Sequence, residues 1–175
     1  MLKLFKITTL LILIYNPTFV VANNNIAYID MQLIMNQSNA GISIRKELKK
    51  LNENFKKEIS DMELDLKKRD KELITKKNIL EVKEFNLLVS KLKTDIKNFN
   101  ALKQNKIIDI KNKKIEYDLK LVNAIKPILS SFSESKNISL LFQKKNIILG
   151  SVELDITKDI LNIVNNDIKP LNFKW

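Results

Sequence analysis

Lys91, Lys93, Lys97, Lys103, Lys106, Lys111, Lys113 and Lys114 crowd one stretch of this sequence, and the chemistry they offer is attraction of anions rather than bond making. From Leu87 to Lys126 there are ten basic residues against four acidic ones. The whole chain carries a formal charge of +11, with 31 Lys and Arg against 20 Asp and Glu. Arg45–Lys126 alone holds 23 against 14, and Lys3 and Lys6 add two more positive charges. The remaining residues balance at six against six, so past the first few residues the excess lies entirely in the middle segment. Such a surplus attracts acidic proteins, anionic lipid headgroups or nucleic acid. Nucleic acid is not expected, because aromatic residues for base stacking are sparse here and no nucleic-acid-binding signature is present. For any single lysine, a solvated face that keeps a helix soluble is the plainer reading.

Bond-making chemistry has few carriers. The chain has neither Cys nor His, so it offers no thiolate, no disulfide and no Cys/His zinc site. Acid–base work would fall to carboxylates, lysines or tyrosines, and no pair of them stands at a mechanistic spacing. The expectation is a non-enzyme without metal or cofactor.

The lysines must be positioned by long helices, because Gly 2 and Pro 3 leave little punctuation in 175 residues. Apolar residues at Ile44, Leu48, Leu51, Phe55, Ile59, Met62, Leu66 and Leu73 recur at helical steps, and Ile44, Phe55 and Leu66 are eleven apart. Leu88, Phe99, Ile110 and Leu121 repeat the same interval, as do Phe85, Ile96 and Ile107. An 11-residue period is about 3.67 residues per turn, which predicts nearly straight packing rather than a left-handed supercoil. The two stretches therefore predict an antiparallel hairpin arm over 42–126. Its seam is Ile44, Leu51, Phe55, Met62, Leu66, Leu88, Phe99, Ile110 and Leu121, and its tip lies near Asn78–Glu81. Arms of this size reach about 55–65 Å at 1.5 Å per residue. Leu87, Val89, Leu102, Ile108 and Ile115 fall off this seam and are either a broadening of it or contacts for a partner. Pro127 is expected to close the arm, with a short helix Ile128–Ser135 after it.

Around the arm lie short β-branched runs. Ile26–Asp30, Ile138–Phe142 and Asn146–Gly150 read as strands, the last two joined as a hairpin through Lys144–Asn146. Asp155 or Thr157 would cap a closing helix with Ile156, Ile160, Leu161 and Val164 on one face. The fold class is mainly α with a small β body, an α+β arrangement with residues 23–41 and 127–175 forming the body. That body is marginal on its own, which favours oligomerisation to cover strand edges. Residues 1–22 read as a cleaved signal peptide, with Lys3 and Lys6 before an apolar run and Val20-Val21-Ala22 as the cleavage site. An uncleaved anchor is the alternative. Export without disulfides suits a bacterial periplasm.

Ile26-Ala-Tyr-Ile-Asp-Met-Gln32 with Ser38-Asn-Ala-Gly41 resembles the opening of the OmpH family of Skp-like periplasmic chaperones. Pro127-Ile128, Asn137-Ile-Ser-Leu-Leu-Phe142 and Asp155-Ile-Thr-Lys-Asp-Ile-Leu161 are similar to its C-terminal part, in the same order. The resemblance implies a homotrimer whose body contains Ile26, Tyr28, Leu140, Phe142 and Ile148. Three arms would surround a cavity that holds unfolded outer-membrane proteins without ATP. Lipopolysaccharide or an anionic membrane surface is a further implied partner. Tyr28 and Asp30 match family positions and read as strand packing and a helix cap. An envelope-tethering coiled coil and a basic binder of anionic lipid stay open on the residues alone.

Overall fold

The structure is a computed structural model and describes residues 25–170; the signal-peptide reading of 1–22 lies outside them. Strand β1 (Asn25–Ile29) leads into helix α1 (Met31–Gln37), and helix α2 (Asn39–Lys76) follows at once. Helix α3 (Val82–Ser135) returns, strand β2 (Ile138–Gln143) pairs with β1, and helix α4 (Thr157–Asp167) completes the described fold. Two single-turn 3-10 segments, Lys144–Asn146 and Val152–Leu154, link β2 to α4.

Local chemistry sets each boundary. Asp30 accepts a hydrogen bond from the Leu33 N–H (2.8 Å) and caps α1. Ser38 Oγ accepts from the Gly41 N–H (3.1 Å) and caps α2. At the far end the N–H groups of Ile79 and Leu80 both turn back onto the Lys76 carbonyl. That reversal uses no positive φ, which is why it needs neither Gly nor Pro. Helix α3 does not stop at Pro127; it runs through it as one helix to Ser135. The proline forfeits one backbone bond, but Leu121 and Ile125 before it are fully buried, and Ile128, Leu129 and Phe132 after it pack on the same core. Packing on both sides holds the helix continuous. Its real stop is Asn137, at φ 52°, a left-handed conformation that asparagine tolerates and most side chains do not.

Strands β1 and β2 run parallel, with Tyr28 opposite Phe142. On its other edge β1 meets Asp155, and the Ile156 N–H donates to the Tyr28 carbonyl at 3.0 Å. The expected third strand at Asn146–Gly150 does not form, and Lys144–Asn146 is a 3-10 turn rather than a hairpin loop. Among the described residues nothing packs against Ile148 and Leu149, which stand fully exposed. The core lies at the body end, where Ile29, Ile34, Ile44, Leu121, Ile125, Ile160 and Val164 bury one another.

Candidate basic arm and its surroundings

The site is built on the α2/α3 hairpin. Helix α2 has 38 residues and so extends about 57 Å. Ile59 and Phe99 are buried in the seam, and Met62, Leu66, Phe99 and Leu102 line the groove between the arms. Two ion pairs cross the seam. Arg69 Nη1 meets Asp95 at 2.7 Å and Lys106 Nζ meets Glu58 at 3.5 Å, separated by eleven residues on each arm. The 11-residue apolar interval of the sequence is therefore also the interval of the polar pairing. Asp65 sits 3.0 Å from Arg69 Nε, and the bond to Asp95 pushes the guanidinium pKa further up, with burial opposing it.

Of the expected seam, Ile44, Phe99 and Leu121 are buried and Leu51, Phe55, Leu66, Leu88 and Ile110 half-buried, while Met62 stands at the exposed margin. Leu92, Tyr117 and Ile125 are buried as well and were not singled out by the 11-residue interval. Leu92 is four residues past Leu88, and Tyr117 and Ile125 flank Leu121 by four, so the ordinary helical step could have found them. Burial raises the Tyr117 phenol pKa. Leu102 belongs to the groove, whereas Leu87, Ile108 and Ile115 are exposed.

The eight lysines do not share one face. Lys91 borders a pocket near the tip with Arg69, Leu73 and Leu88. Lys103, Lys106 and Lys113 lie half-buried beside the seam, and Lys114 pairs with Asp118 one turn on. Lys93, Lys97 and Lys111 point outward and are exposed. Sequence spacing suggested one basic patch, but on a helix adjacent lysines fan around the axis.

In the body, Tyr28 is buried and its hydroxyl donates to the Ser151 carbonyl at 3.0 Å. The expected body residues Ile26, Leu140, Phe142 and Ile148 are exposed in the single chain. Neither Asp155 nor Thr157 is the N-cap of α4: Ile156 holds that place, without a side-chain bond. Asp155 instead accepts the Thr157 N–H at 3.0 Å, accepts the Thr157 hydroxyl, and pairs with Lys144 at 2.6 Å. The Thr157 hydroxyl in turn accepts the Asp30 N–H at 2.8 Å, so one relay ties the end of β1 to the start of α4.

Burial pushes the Asp155 carboxyl pKa up, but Lys144 and Thr157 outweigh it and hold the group below its ordinary 3.8. A carboxylate depressed in the folded state stabilises above its unfolded pKa, and the gain is lost as pH falls through the folded value. Asp155→Asn is therefore expected to cost about 1–2 kcal/mol near neutral pH, with the difference from the parent chain shrinking below about pH 4. Urea midpoints measured across pH 2.5–7 check this; a gap independent of pH contradicts it.

Among the described residues there is no cluster of carboxylates fit to hold a metal, and no helix is long and apolar enough to cross a membrane. No curated protein matches the chain. A crystal structure of a Caulobacter crescentus CB15 protein, described as a candidate outer membrane chaperone (OmpH-like), shares the fold. It superposes with a TM-score of 0.82 over 91% of this chain and 95% of that one, at 15% identity. The family model for outer membrane protein (OmpH-like) matches residues 25–164. With strand, basic hairpin, strand and closing helix in that order, the chain belongs to the OmpH-like family.

Proposed function

We propose that this protein is an ATP-independent holdase of the bacterial periplasm, which keeps unfolded outer-membrane proteins soluble between its basic arms. The observation that carries the reading is the hairpin itself. It projects from a small body, is held by a narrow seam, and turns lysines and apolar side chains outward. Long-range attraction speeds capture of acidic clients, and dispersed weak contacts let them leave. The fold shared with an outer-membrane chaperone candidate points the same way.

The working form in this reading is a homotrimer. Among the described residues strand β2 has no partner on its outer edge, and Leu140, Phe142, Ile148, Leu149 and Val152 are exposed around it. A free, apolar strand edge associates unless it is covered, and neighbouring copies would supply the cover. The body would comprise residues 23–41 with 127–175, and the arm 42–126.

Purified mature chain is expected to run as a trimer by native mass and to suppress light scattering by a urea-diluted porin near one trimer per client. A monomer, or scattering equal to that of porin alone, would sink the reading.

A further inference from the structure

Helix α3 carries a second line of side chains, opposite the seam. Lys93, Lys97, Ala101, Gln104, Ile108, Lys111, Ile115 and Leu119 follow one another at steps of 4, 4, 3, 4, 3, 4 and 4 residues. At 100° per residue these fall within an arc of about 80° centred away from Phe99, and they extend about 39 Å along the helix. Ile108, Ile115 and Leu119 are 52%, 49% and 56% exposed. No carboxylate between Lys93 and Leu119 falls within that arc, Asp118 bordering it about 20° outside. Asp95 crosses the seam to Arg69 and Asp118 pairs with Lys114, while Asp109 and Glu116 are each one residue, a quarter turn, from it.

The other arm is an internal control. The outward line of α2 runs through Lys50, Glu53, Lys57, Asp61, Leu64 and Lys68, all exposed. It mixes both charge signs and has a single apolar member. That is a solvated face. The line on α3 has apolar residues, one charge sign and no acid.

We propose that this outward line of α3 is the client-contact surface of the arm, and that it takes an extended, unfolded polypeptide whose acidic and apolar side chains alternate. The inference rests on the holdase reading and assigns its contact to one face of one helix. Lys93 and Lys97 at one end and Lys111 among the apolar residues meet carboxylates, and the three apolar side chains meet strand residues from one side of the client. A lipid surface fits less well. Helices that lie in a bilayer interface present a broad apolar face, and this one is a single residue wide, interrupted by Lys111.

The test compares the full chain with an I108S/I115S/L119S variant and with a K93Q/K97Q/K111Q variant. All six positions are exposed, so both variants should keep the parent's helical circular dichroism and native mass. The serine variant is expected to bind a urea-diluted porin roughly tenfold more weakly or worse, as partial burial of three apolar side chains is lost. The glutamine variant is expected to associate several-fold more slowly at low salt, with the difference closing at high salt. Parent-like porin binding by the serine variant overturns the assignment while leaving the holdase reading intact. So does a changed native mass, which would give the line to contact between copies. So does porin binding unchanged while affinity for anionic phospholipid vesicles falls. A parent chain that leaves the porin to aggregate removes the holdase reading, and this surface with it.

Discussion

Phe99→Asp is expected to separate the two arms and abolish porin protection while the body stays folded. Phe99 is 8% exposed and lines the groove between the arms with Met62, Leu66 and Leu102. Removing a buried phenylalanine costs about 3–5 kcal/mol, and an aspartate there adds the desolvation of an unpaired charge. The arm has little with which to offset that. Its packing is one stripe wide, so its local opening free energy is low compared with that of the core. The body core draws instead on Ile29, Ile34, Leu121, Ile125 and Ile160, well down the helix from the substitution. Circular dichroism should show an early melting phase that the parent lacks, and porin scattering should rise to the level without chaperone. Native mass should not change. If the oligomer dissociates instead, arm and body are not separable units.

Gly41→Ala is expected to destabilise the body by about 3 kcal/mol or more, against the usual sign for this exchange. In a helix interior alanine is normally better than glycine by about 0.5–1 kcal/mol. Here the added Cβ would lie 1.9 Å from the Met35 carbonyl oxygen and 2.8 Å from its carbon. Both belong to backbone, so no side chain can swing aside. Helices α1 and α2 meet at this point with only Ser38 between them, and Ser38 is fully buried and caps α2 through the Gly41 N–H. Relief would require α1 to move off the core that Ile34 anchors. The urea midpoint should fall with little change in the denaturant slope; an alanine variant as stable as the parent or more so would refute the close approach.

Much of the arm was legible because a helix writes its contacts into linear spacing. Phe99 and Leu121 stood eleven and thirty-three residues beyond Leu88, and all three lie on the seam side of α3. The reversal at 77–81 was legible as a break in phase, although no glycine marks it. Pro127 misled because its local effect is real but small against the packing on both sides of it. The run Asn146–Gly150 misled for the opposite reason. Its β-branched side chains suit a strand, but the 3-10 turn at Lys144–Asn146 does not fold the run back onto β2, whose outer edge has no partner among the described residues. The extent of helix α1 was not anticipated, since seven residues carry too short a period to read.

The lysines show where sequence reading ends. Composition and order alone determined that this chain has no thiol or imidazole chemistry, that its charge excess lies in the middle, and that long helices with an 11-residue stripe carry it. Those are properties of the chain as a line. Which lysines pair, which flank the seam and which face outward depended on the rotation of α3 about its own axis once Phe99 was turned inward. The parallel pairing of β1 with β2, the relay from Asp30 through Thr157 to Asp155, and the contact that forbids a Cβ at Gly41 all join residues remote in sequence or backbone atoms brought together by packing. Only the tertiary structure decided these, because burial selects among the orientations that local spacing leaves equal.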